Sequence, residues 1–474
     1  LVDLDIVAAT HATRAAILGR QSARWQRLLE VAAAHSAFYR RHLAGRDLAR
    51  TRPQDLQAID KTTLMRHFDG WVTDPALDLA ALRSFVADDH RIGEPYLDRY
   101  AVWESSGSTG EPAIFVQDAQ ALAVYDTLEG LRRSSPRPWQ RLMDPLYLGE
   151  RVAFVGVIDG HFASEVTMRR LRRAQPWRAS SWRSFSLMQR PEVLGAELED
   201  FAPTIVATYP SAAMLLAAQA RAGRLRLRPQ EVWTGGETLT GPMRESIEQA
   251  LGCTVRNSYG ASEFLPIAWE CTHGQLHVNA DWVLLEPVDA RHRPVPPGTP
   301  SHTTLLSNLA NHVQPIIRLD IGDRITLHET PCGCGSALPV IEVEGRSDDV
   351  LTLAGADGAP VTLLPLALVT VLEDEAGVCH FQLAQTAAHT LRLRLGRDAS
   401  DTQVRACRLA LHAYARSQGV GALRIEVARG AMPAPGRSGK RARIVAREGA
   451  AAKAPKAAGR RSPGRARGRL RDRA

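Results

Sequence analysis

The amino-acid sequence predicts an α/β protein: a large N-terminal domain of doubly wound sheets with a small β-barrel-like region, then a small, mobile α+β domain. Between residues 100 and 260, short apolar strands alternate with helices, which is typical of a parallel sheet covered on both faces. From residue 281 onward, short alternating strands with Pro/Gly turns indicate an antiparallel or barrel-like region. We therefore divide the chain into a large domain at 1–345, a small domain at 346–450 and a tail at 451–474.

The predicted elements follow in the order that such a sheet requires. Residues 11–45 place Trp25, Leu28 and Leu29 at helical spacing, which predicts packing helices. The next predictions are a strand at 100–103, a helix at 119–133, strands at 151–158 and 204–208, a helix at 212–222, a strand at 231–234 and a helix at 242–252. The last unit has predicted strands near 380–385, 391–395 and 423–427, and a helix near 403–416.

Composition is that of a globular chain of more than one domain. The chain has 474 residues, of which 45% are hydrophobic and 23% charged. No apolar run is long enough for a transmembrane helix, and acids near the N-terminus argue against a secretory signal. We therefore expect a cytoplasmic protein without a membrane span.

The net charge of +8 comes from the tail. Residues 451–474 contain nine Lys or Arg residues and one acid, so the preceding 450 residues are neutral. A neutral body argues against specific nucleic-acid binding. The Ala/Pro/Gly/Arg-rich tail predicts disorder, and it could contact RNA, DNA or anionic lipid non-specifically, or simply increase solubility.

Residues directly after predicted strands are candidates for ligand contacts, because ligands of parallel sheets bind beyond the carboxyl ends of the strands. His161 and Phe162 follow one predicted strand, and Tyr209 and Pro210 follow the next. These four residues are the predicted substrate pocket.

A run of small residues follows the predicted strand at 100–103. It consists of Ser105, Ser106, Gly107, Ser108, Thr109 and Gly110. Backbone N–H groups and hydroxyls of such a loop can close on the oxygens of a polyphosphate. It is not a Walker loop, because no lysine follows the glycine. A flexible linker is the alternative.

The segment SSGSTGEP at 105–112 resembles the phosphate loop of adenylate-forming enzymes, the acyl-CoA and aryl-CoA ligases, with Glu111 where that family has lysine. Five further segments resemble blocks of this superfamily in its order: TGGE at 234–237, SYGASE at 258–263, PIIRLDIGD at 315–323, GRSDD at 345–349 and SGKRAR at 438–443. Within the superfamily the chain is similar to phenylacetate-CoA-ligase-like proteins.

The resemblance implies a role for each block. Residues implied to contact ATP or AMP are Ser105, Ser106, Gly107, Ser108, Thr109, Gly110, Gly235, Gly236, Glu237, Ser258, Tyr259, Gly260, Ser262, Asp323 and Arg346. Glu263 would hold Mg²⁺, which prefers carboxylate and phosphate oxygens, and Asp323 would accept hydrogen bonds from the ribose diol. Lys440 and Glu263 are the implied catalytic residues, with Lys440 at the α-phosphate. Asp348 is the implied hinge.

Three of the six cysteines form a candidate metal site. Cys332 and Cys334 lie on one tight turn, and Cys271 is followed by His273 and His277. Three thiolates and one imidazole suit a closed, structural Zn²⁺ site. The resemblance to zinc-containing phenylacetate-CoA-ligase-like proteins favours His277 as the fourth ligand. Free buried cysteines are the alternative.

As a whole, the resemblance implies ATP-dependent activation of a carboxylic acid. An acyl- or aryl-adenylate would form first, and the acyl group would then pass to the thiol of coenzyme A or of a carrier-protein phosphopantetheine. Residues 350–365 lack the basic, glycine-containing stretch common in these ligases, which leaves the acceptor open. Two alternatives are an enzyme with an amine acceptor and a non-catalytic nucleotide-binding protein whose tail associates with RNA. A carrier protein and a second copy of the chain are candidate partners.

Overall fold

The computed structural model describes residues 2–105, 113–133, 143–144, 149–187, 189, 191–328, 330–346, 351–356, 358, 360–363, 368, 371–378, 380–430 and 443–445. Within this part of the chain, no helix combines the length and the apolar character needed to cross a bilayer.

Helices dominate the first hundred residues. Their bounds are α1 Val2–Thr10, α2 Arg14–His35, α3 Ala37–His42, α4 Lys61–Arg66, α5 Phe68–Trp71 and α6 Leu79–Val86, with 3-10 turns at Leu48–Arg50, Pro53–Asp55 and Asp89–Arg91. Four of them begin after a side chain that accepts a backbone N–H hydrogen bond, namely Thr13, Ser36, Asp60 and Asp78. Trp25, Leu28 and Leu29 of α2 are buried in the largest apolar core, which confirms the predicted packing helix.

A short, fully buried hairpin follows these helices. Strand β1 (Ala101–Glu104) pairs antiparallel with β2 (Ile114–Gln117), and helix α7 (Ala119–Arg132) comes next. The hairpin belongs to the same apolar core as the N-terminal helices. The first hundred residues therefore pack directly against the strands that carry the candidate phosphate loop.

The largest sheet has nine strands, and one half of it is parallel. This half consists of β3 (Val152–Gly156), β4 (Trp182–Ser186), β5 (Ile205–Thr208), β6 (Glu231–Thr234) and the start of β7 (Thr254–Ala261). The helices between these strands are α8 Ala163–Ala174, α9 Pro191–Phe201, α10 Pro210–Arg221 and α11 Gly241–Leu251, with a 3-10 turn at Pro176–Ser181. Strands β3, β5 and β6 and helices α10 and α11 lie close to their predicted bounds, whereas the predictions contain no element between 163 and 201.

The sheet changes from parallel to antiparallel within β7. Its first residues pair with β6 as far as Asn257, and from Ser258 onward it pairs antiparallel with β8 (Phe264–Glu270). The sheet continues through β9 (Leu276–Val278), β14 (Val340–Arg346) and β13 (Asp323–His328). A separate antiparallel sheet contains β10 (Val283–Val288), β11 (Thr303–Asn308) and β12 (Ile316–Asp320). The strand-rich region predicted from residue 281 is thus divided between two sheets.

The C-terminal unit has its own apolar core. It contains β15 Leu351–Ala354, β16 Pro360–Leu363, a π-helical turn at Val371–Glu375, β17 Phe381–Ala387, β18 Thr390–Leu395, α12 Asp401–Ser417, β19 Arg424–Arg429 and β20 Ile444–Val445. Four of these strands form a mixed sheet in the order β19-β18-β17-β20. The α+β character of this unit agrees with the prediction, and the exact domain boundaries stay a prediction.

Candidate functional site

The hairpin closes the base of the predicted phosphate loop. The Ser105 N–H donates to the Ala113 carbonyl at 2.8 Å, and the Ala113 N–H donates to Ser105 Oγ at 3.0 Å. These two bonds hold the ends of the loop together. The loop residues Ser106, Gly107, Ser108, Thr109 and Gly110 lie outside the described residues, so phosphate binding by the loop stays a prediction.

Glu237 connects the ends of two parallel strands. It follows β6 and two glycines, and its Oε2 accepts the backbone N–H of Ser211, just beyond β5, at 3.0 Å. The chain turns at Gly236 with φ of +76°, which favours glycine. A carboxylate is thereby positioned at the carboxyl edge of the sheet, where the topology predicts a ligand.

The strand pairings at this edge leave no room for larger residues at two glycines. Ser258 Oγ donates to the Thr234 carbonyl at 3.1 Å, and a Cβ at Gly235 would lie 2.9 Å from that Oγ. A Cβ at Gly260 would lie 1.9 Å from the Leu265 carbonyl oxygen. The glycines of both blocks therefore allow neighbouring backbone segments to approach closely.

Tyr259 and Asp323 are in direct contact. The Tyr259 hydroxyl donates to Asp323 Oδ2 at 2.6 Å. Asp323 opens β13 and pairs in register with Arg346, the last residue of β14. Three residues of the predicted nucleotide set, taken from three separate blocks, thus lie together.

Glu263 forms an ion pair that the sequence analysis did not anticipate. Lys61 Nζ, at the start of α4, lies 2.6 Å from Glu263 Oε1, and the Glu263 side chain is only 5% exposed. The Asn308 side-chain amide donates to the Glu263 carbonyl at 2.9 Å. Trp103 of the hairpin donates its indole N–H to the carbonyl of the adjacent Ser262 at 2.9 Å.

One compositional signal could have identified Lys61. The chain contains only four lysines, and before residue 451 the only two are Lys61 and Lys440. Nearly all other basic residues are arginines. Lysine at only two positions of an otherwise arginine-rich stretch suggests that each needs a compact ammonium charge rather than a planar guanidinium.

The predicted pocket residues lie at two places on the same edge. His161 is fully buried with its ring 5.2 Å from that of Phe85, and burial lowers the pKa of His161. The backbone of Phe162 bridges to Glu104 at the end of β1. Tyr209 is buried at the end of β5, where burial and the Glu237 carboxylate raise the pKa of its hydroxyl.

A role for these residues and Pro210 in one pocket stays a prediction. Pro210 is the first residue of α10 and is buried. A cavity of about 290 Å³ lies elsewhere, between α2 and residues 49–53. It is lined by Trp25, Arg52 and Leu284, among others, and does not reach the strand ends.

Four of the predicted metal ligands form one cluster. The ligand atoms of Cys271, His277, Cys332 and Cys334 all lie within 4.8 Å of one another. The sulfur atoms of Cys271 and Cys332 are 3.7 Å apart, and Cys334 Sγ is 3.4 Å from His277 Nε2. Ligands at about 2.3 Å from a tetrahedral metal ion are about 3.8 Å apart, so the spacing suits such an ion.

The surroundings of the cluster explain why His277 rather than His273 takes part. His277 Nδ1 lies 3.0 Å from the Leu338 carbonyl, so a proton on Nδ1 leaves the lone pair of Nε2 facing the sulfurs. Burial lowers the pKa of His277, which favours the neutral imidazole that binds metals. His273 contributes its backbone N–H, which donates to Cys271 Sγ at 3.4 Å.

Two further predictions fall outside the described residues. Lys440 and Asp348 are not among the described residues, and of Arg346 the structure describes only the backbone. Their predicted roles at the α-phosphate, at the hinge and in nucleotide binding therefore stay predictions.

Comparisons with known proteins identify which proteins the chain is similar to. No protein-family profile matches the chain. It is 26% identical over 303 residues to the phenylacetate-coenzyme A ligase of Thermus thermophilus, covering 61% of this chain and 63% of that protein. It is also 29% identical over 129 residues to protein CapK of Staphylococcus aureus, covering 27% of each chain. The chain thus spans less than two thirds of the length of these relatives.

Solved structures match over more of the chain. A 2-hydroxyisobutyryl-CoA ligase in the postadenylation state, in complex with R3-HIB-AMP, superposes with a TM-score of 0.63 at 21% identity, covering 93% of this chain and 92% of the other. An open conformation of 2-hydroxyisobutyryl-CoA ligase with 2-HIB-AMP and CoA gives a TM-score of 0.53 at 21% identity, covering 90% of each chain. At this level of identity the likeness establishes the fold.

Proposed function

Since the chain resembles the acyl- and aryl-CoA ligases of the adenylate-forming superfamily in sequence and shares their fold, we propose that it activates a carboxylic acid with ATP and transfers the acyl group to a thiol. The observation that carries this proposal is the convergence of Tyr259, Glu263 and Asp323 beside the hairpin with the Ser/Gly loop. Three separated sequence blocks meet at the edge where an α/β sheet binds its ligand.

In the first step, a carboxylate oxygen of the substrate attacks the α-phosphorus of ATP. A bond forms between this oxygen and phosphorus, the bond to the bridging oxygen breaks, and pyrophosphate leaves with the electron pair. Asp323, oriented by Tyr259, accepts hydrogen bonds from the ribose diol. Lys440 stabilises the negative charge that grows on the α-phosphate in the transition state.

Glu263 fits the magnesium ion that accompanies ATP. Its carboxylate is a hard oxygen donor, and magnesium sites commonly use one or two protein carboxylates together with phosphate oxygens and water. When bound, the ion would neutralise phosphate charge. Glu263 is held by its backbone contact with Asn308 and by its position directly before β8.

In the second step, the sulfur of a thiol attacks the carbonyl carbon of the adenylate. A carbon–sulfur bond forms, the bond from this carbon to the phosphate oxygen breaks, AMP leaves with the electron pair, and the thiol proton is released to solvent. Adenylation needs Lys440 at the phosphates, whereas the thiol needs an open approach to the same region. Rotation of the C-terminal unit about Asp348 would satisfy both requirements in turn. Coenzyme A is the first acceptor to test, with carrier-bound phosphopantetheine and an amine as the other candidates.

We further propose that Cys271, His277, Cys332 and Cys334 hold one structural zinc ion. Three thiolates and a neutral imidazole form the soft, four-coordinate donor set that zinc prefers, and the distances between the ligand atoms fit a tetrahedron. The set leaves no position for a substrate. Reduced cysteines of this kind suit the cytoplasm, where we propose that the protein acts.

Acid-dependent exchange of labelled pyrophosphate into ATP tests the adenylation step directly. The acids would include phenylacetate, other aryl acids, short 2-hydroxy acids and fatty acids, and thioester formation with coenzyme A would be followed by mass spectrometry. We expect exchange with at least one acid, and its loss in the matched variant Asp323→Asn. A protein that binds ATP but exchanges pyrophosphate with none of these acids would contradict the proposal and favour non-catalytic nucleotide binding.

A further inference from the structure

We infer that Lys61 is a catalytic residue of the adenylation step, with its ammonium group contacting the terminal phosphates of ATP in place of the lysine that the phosphate loop lacks. This inference rests on the proposed function. It also gives α4, a helix for which the sequence carried no prediction, a direct part in the site.

The backbone around Lys61 is tied to the predicted nucleotide site. The Ile59 N–H donates to the Arg318 carbonyl at 3.0 Å, and the Asp320 N–H donates to the Ile59 carbonyl at 2.9 Å. Asp60 caps α4 by accepting the Thr63 N–H at 2.7 Å. The start of α4 is therefore fixed beside the end of β12, three residues before Asp323.

The side chain of Lys61 lies beside the predicted magnesium ligand Glu263 and near Phe115 of strand β2. Its Nζ is 2.6 Å from Glu263 Oε1 and 5.8 Å from the centre of the Phe115 ring. Phe115 belongs to β2, and Ala113, two residues before it, closes the loop with Ser105. Lys61 therefore lies near the strand that continues from the predicted phosphate loop, and we expect its ammonium to reach phosphates bound there.

The two partners of the ion pair differ in exposure. The Lys61 side chain is 28% exposed, whereas that of Glu263 is 5% exposed. The lysine can therefore turn toward an incoming ligand while the carboxylate keeps its place. Glu263 would then serve the magnesium ion that accompanies ATP, and Lys61 the terminal phosphate oxygens.

The charge distribution of the loop supports the same role. Residues 105–112 contain no basic residue, and Glu111 adds a negative charge next to a site for a polyphosphate. A cation from elsewhere in the chain is needed to offset this charge. Lys61 and Lys440 are the only lysines before the tail, and Lys440 is the predicted cation of the α-phosphate.

The alternative is that Lys61 only neutralises a buried carboxylate. A lysine with that role would support the fold and would treat all adenine nucleotides alike. A lysine that contacts the terminal phosphates distinguishes ATP from AMP, because AMP lacks those phosphates. The difference between the two nucleotides therefore separates the two explanations.

Isothermal titration calorimetry of Lys61→Met with MgATP and with AMP tests the inference. We expect binding of MgATP to weaken by at least about tenfold, as for loss of a charge-assisted phosphate contact, while AMP binds within about twofold of the parent protein. Arg66→Met is the matched control, since it removes one positive charge from an exposed position on the same helix. It should leave both nucleotides unaffected.

If Lys61→Met does not fold, the same comparison is made in the Glu263→Gln background, where no buried carboxylate is left unpaired. An equal loss for ATP and AMP, or no loss at all, overturns the inference. A parent protein that binds neither nucleotide overturns both the inference and the proposed function. A parent protein whose ATP binding depends on Lys61, but which shows no acid-dependent pyrophosphate exchange, contradicts the proposed function and leaves the phosphate contact in place.

Discussion

Two polar clusters of different composition and exposure lie at the two ends of strand β8. Glu263 directly precedes the strand and Cys271 directly follows it, so the seven residues of β8, roughly 23 Å at the usual strand rise, separate them. At the first end, a buried carboxylate faces a partly exposed ammonium. At the second end, four ligand atoms face one another within 4.8 Å.

On the proposed function, the first cluster would do chemistry and the second would stabilise the fold. The first pairs a buried carboxylate with a partly exposed lysine, which a charged ligand would approach. The second is closed by its own residues and joins β8, β9 and the connection between β13 and β14. Four predictions test this contrast, from the largest expected effect to the smallest.

Lys440→Ala should have the largest effect, and this effect concerns the proposed catalytic site with Glu263 and Lys61. We expect adenylate formation to fall by at least about 100-fold, because a transition-state charge contact is lost, while thioester formation from a pre-made adenylate continues. Single-turnover assays of each half-reaction measure this, and Arg441→Ala provides a neighbouring charge control. An equal loss in both half-reactions of a folded variant would show that Lys440 has another role.

Cys334→Ser should affect the cysteine–histidine cluster at the second end of β8. The variant should contain less than one zinc per chain, and a loss of about 2 kcal/mol would lower Tm by roughly 3 °C in a domain of this size. Metal analysis and thermal unfolding measure both effects, and Cys253→Ser, a thiol outside the cluster, should change neither. A metal-free parent protein that is equally stable and active would refute the structural zinc site.

Tyr259→Phe should have a moderate effect on the predicted nucleotide site. It removes the hydrogen bond to Asp323, and bonds to charged groups contribute about 1.5–3 kcal/mol, so we expect KM for ATP to rise by about tenfold. Steady-state kinetics with ATP as the varied substrate measure this. Tyr100→Phe removes a similar tyrosine–aspartate bond to Asp74 outside the cluster and should leave KM unchanged. An unchanged KM in Tyr259→Phe would indicate that the bond does not orient Asp323 for the nucleotide.

Deletion of residues 451–474 should affect neither of the two polar clusters. These residues hold the excess positive charge of the chain, so the truncated protein should elute earlier from heparin while kcat, KM and zinc content stay the same. A large fall in activity would indicate that the tail contacts the body of the protein.

Local patterns allowed good predictions where strands are short and apolar. Strand β6 has its predicted bounds, and α11 ends at Leu251, directly before Gly252, whose left-handed conformation explains the stop. The region 163–201 escaped prediction for a physical reason. Helix α8 has four arginines among its twelve residues, and β4 (WRSFS) is buried only at its last two positions, so neither shows a clear apolar pattern.

The sequence by itself determined the order of the six blocks, the thiolate and imidazole character of the metal cluster, and the location of the excess charge in the tail. These properties depend on residue type and spacing along the chain. The tertiary structure decided that His277 lies with the three cysteines, because β9 pairs with β14 and brings this ring to the turn with Cys332 and Cys334. It also decided that Lys61 contacts Glu263. This contact joins the start of α4, which Asp60 caps, to the turn between β7 and β8 much later in the chain. Spacing and periodicity describe neighbours along the chain, whereas contacts between distant segments follow from the order in which strands pair and helices pack.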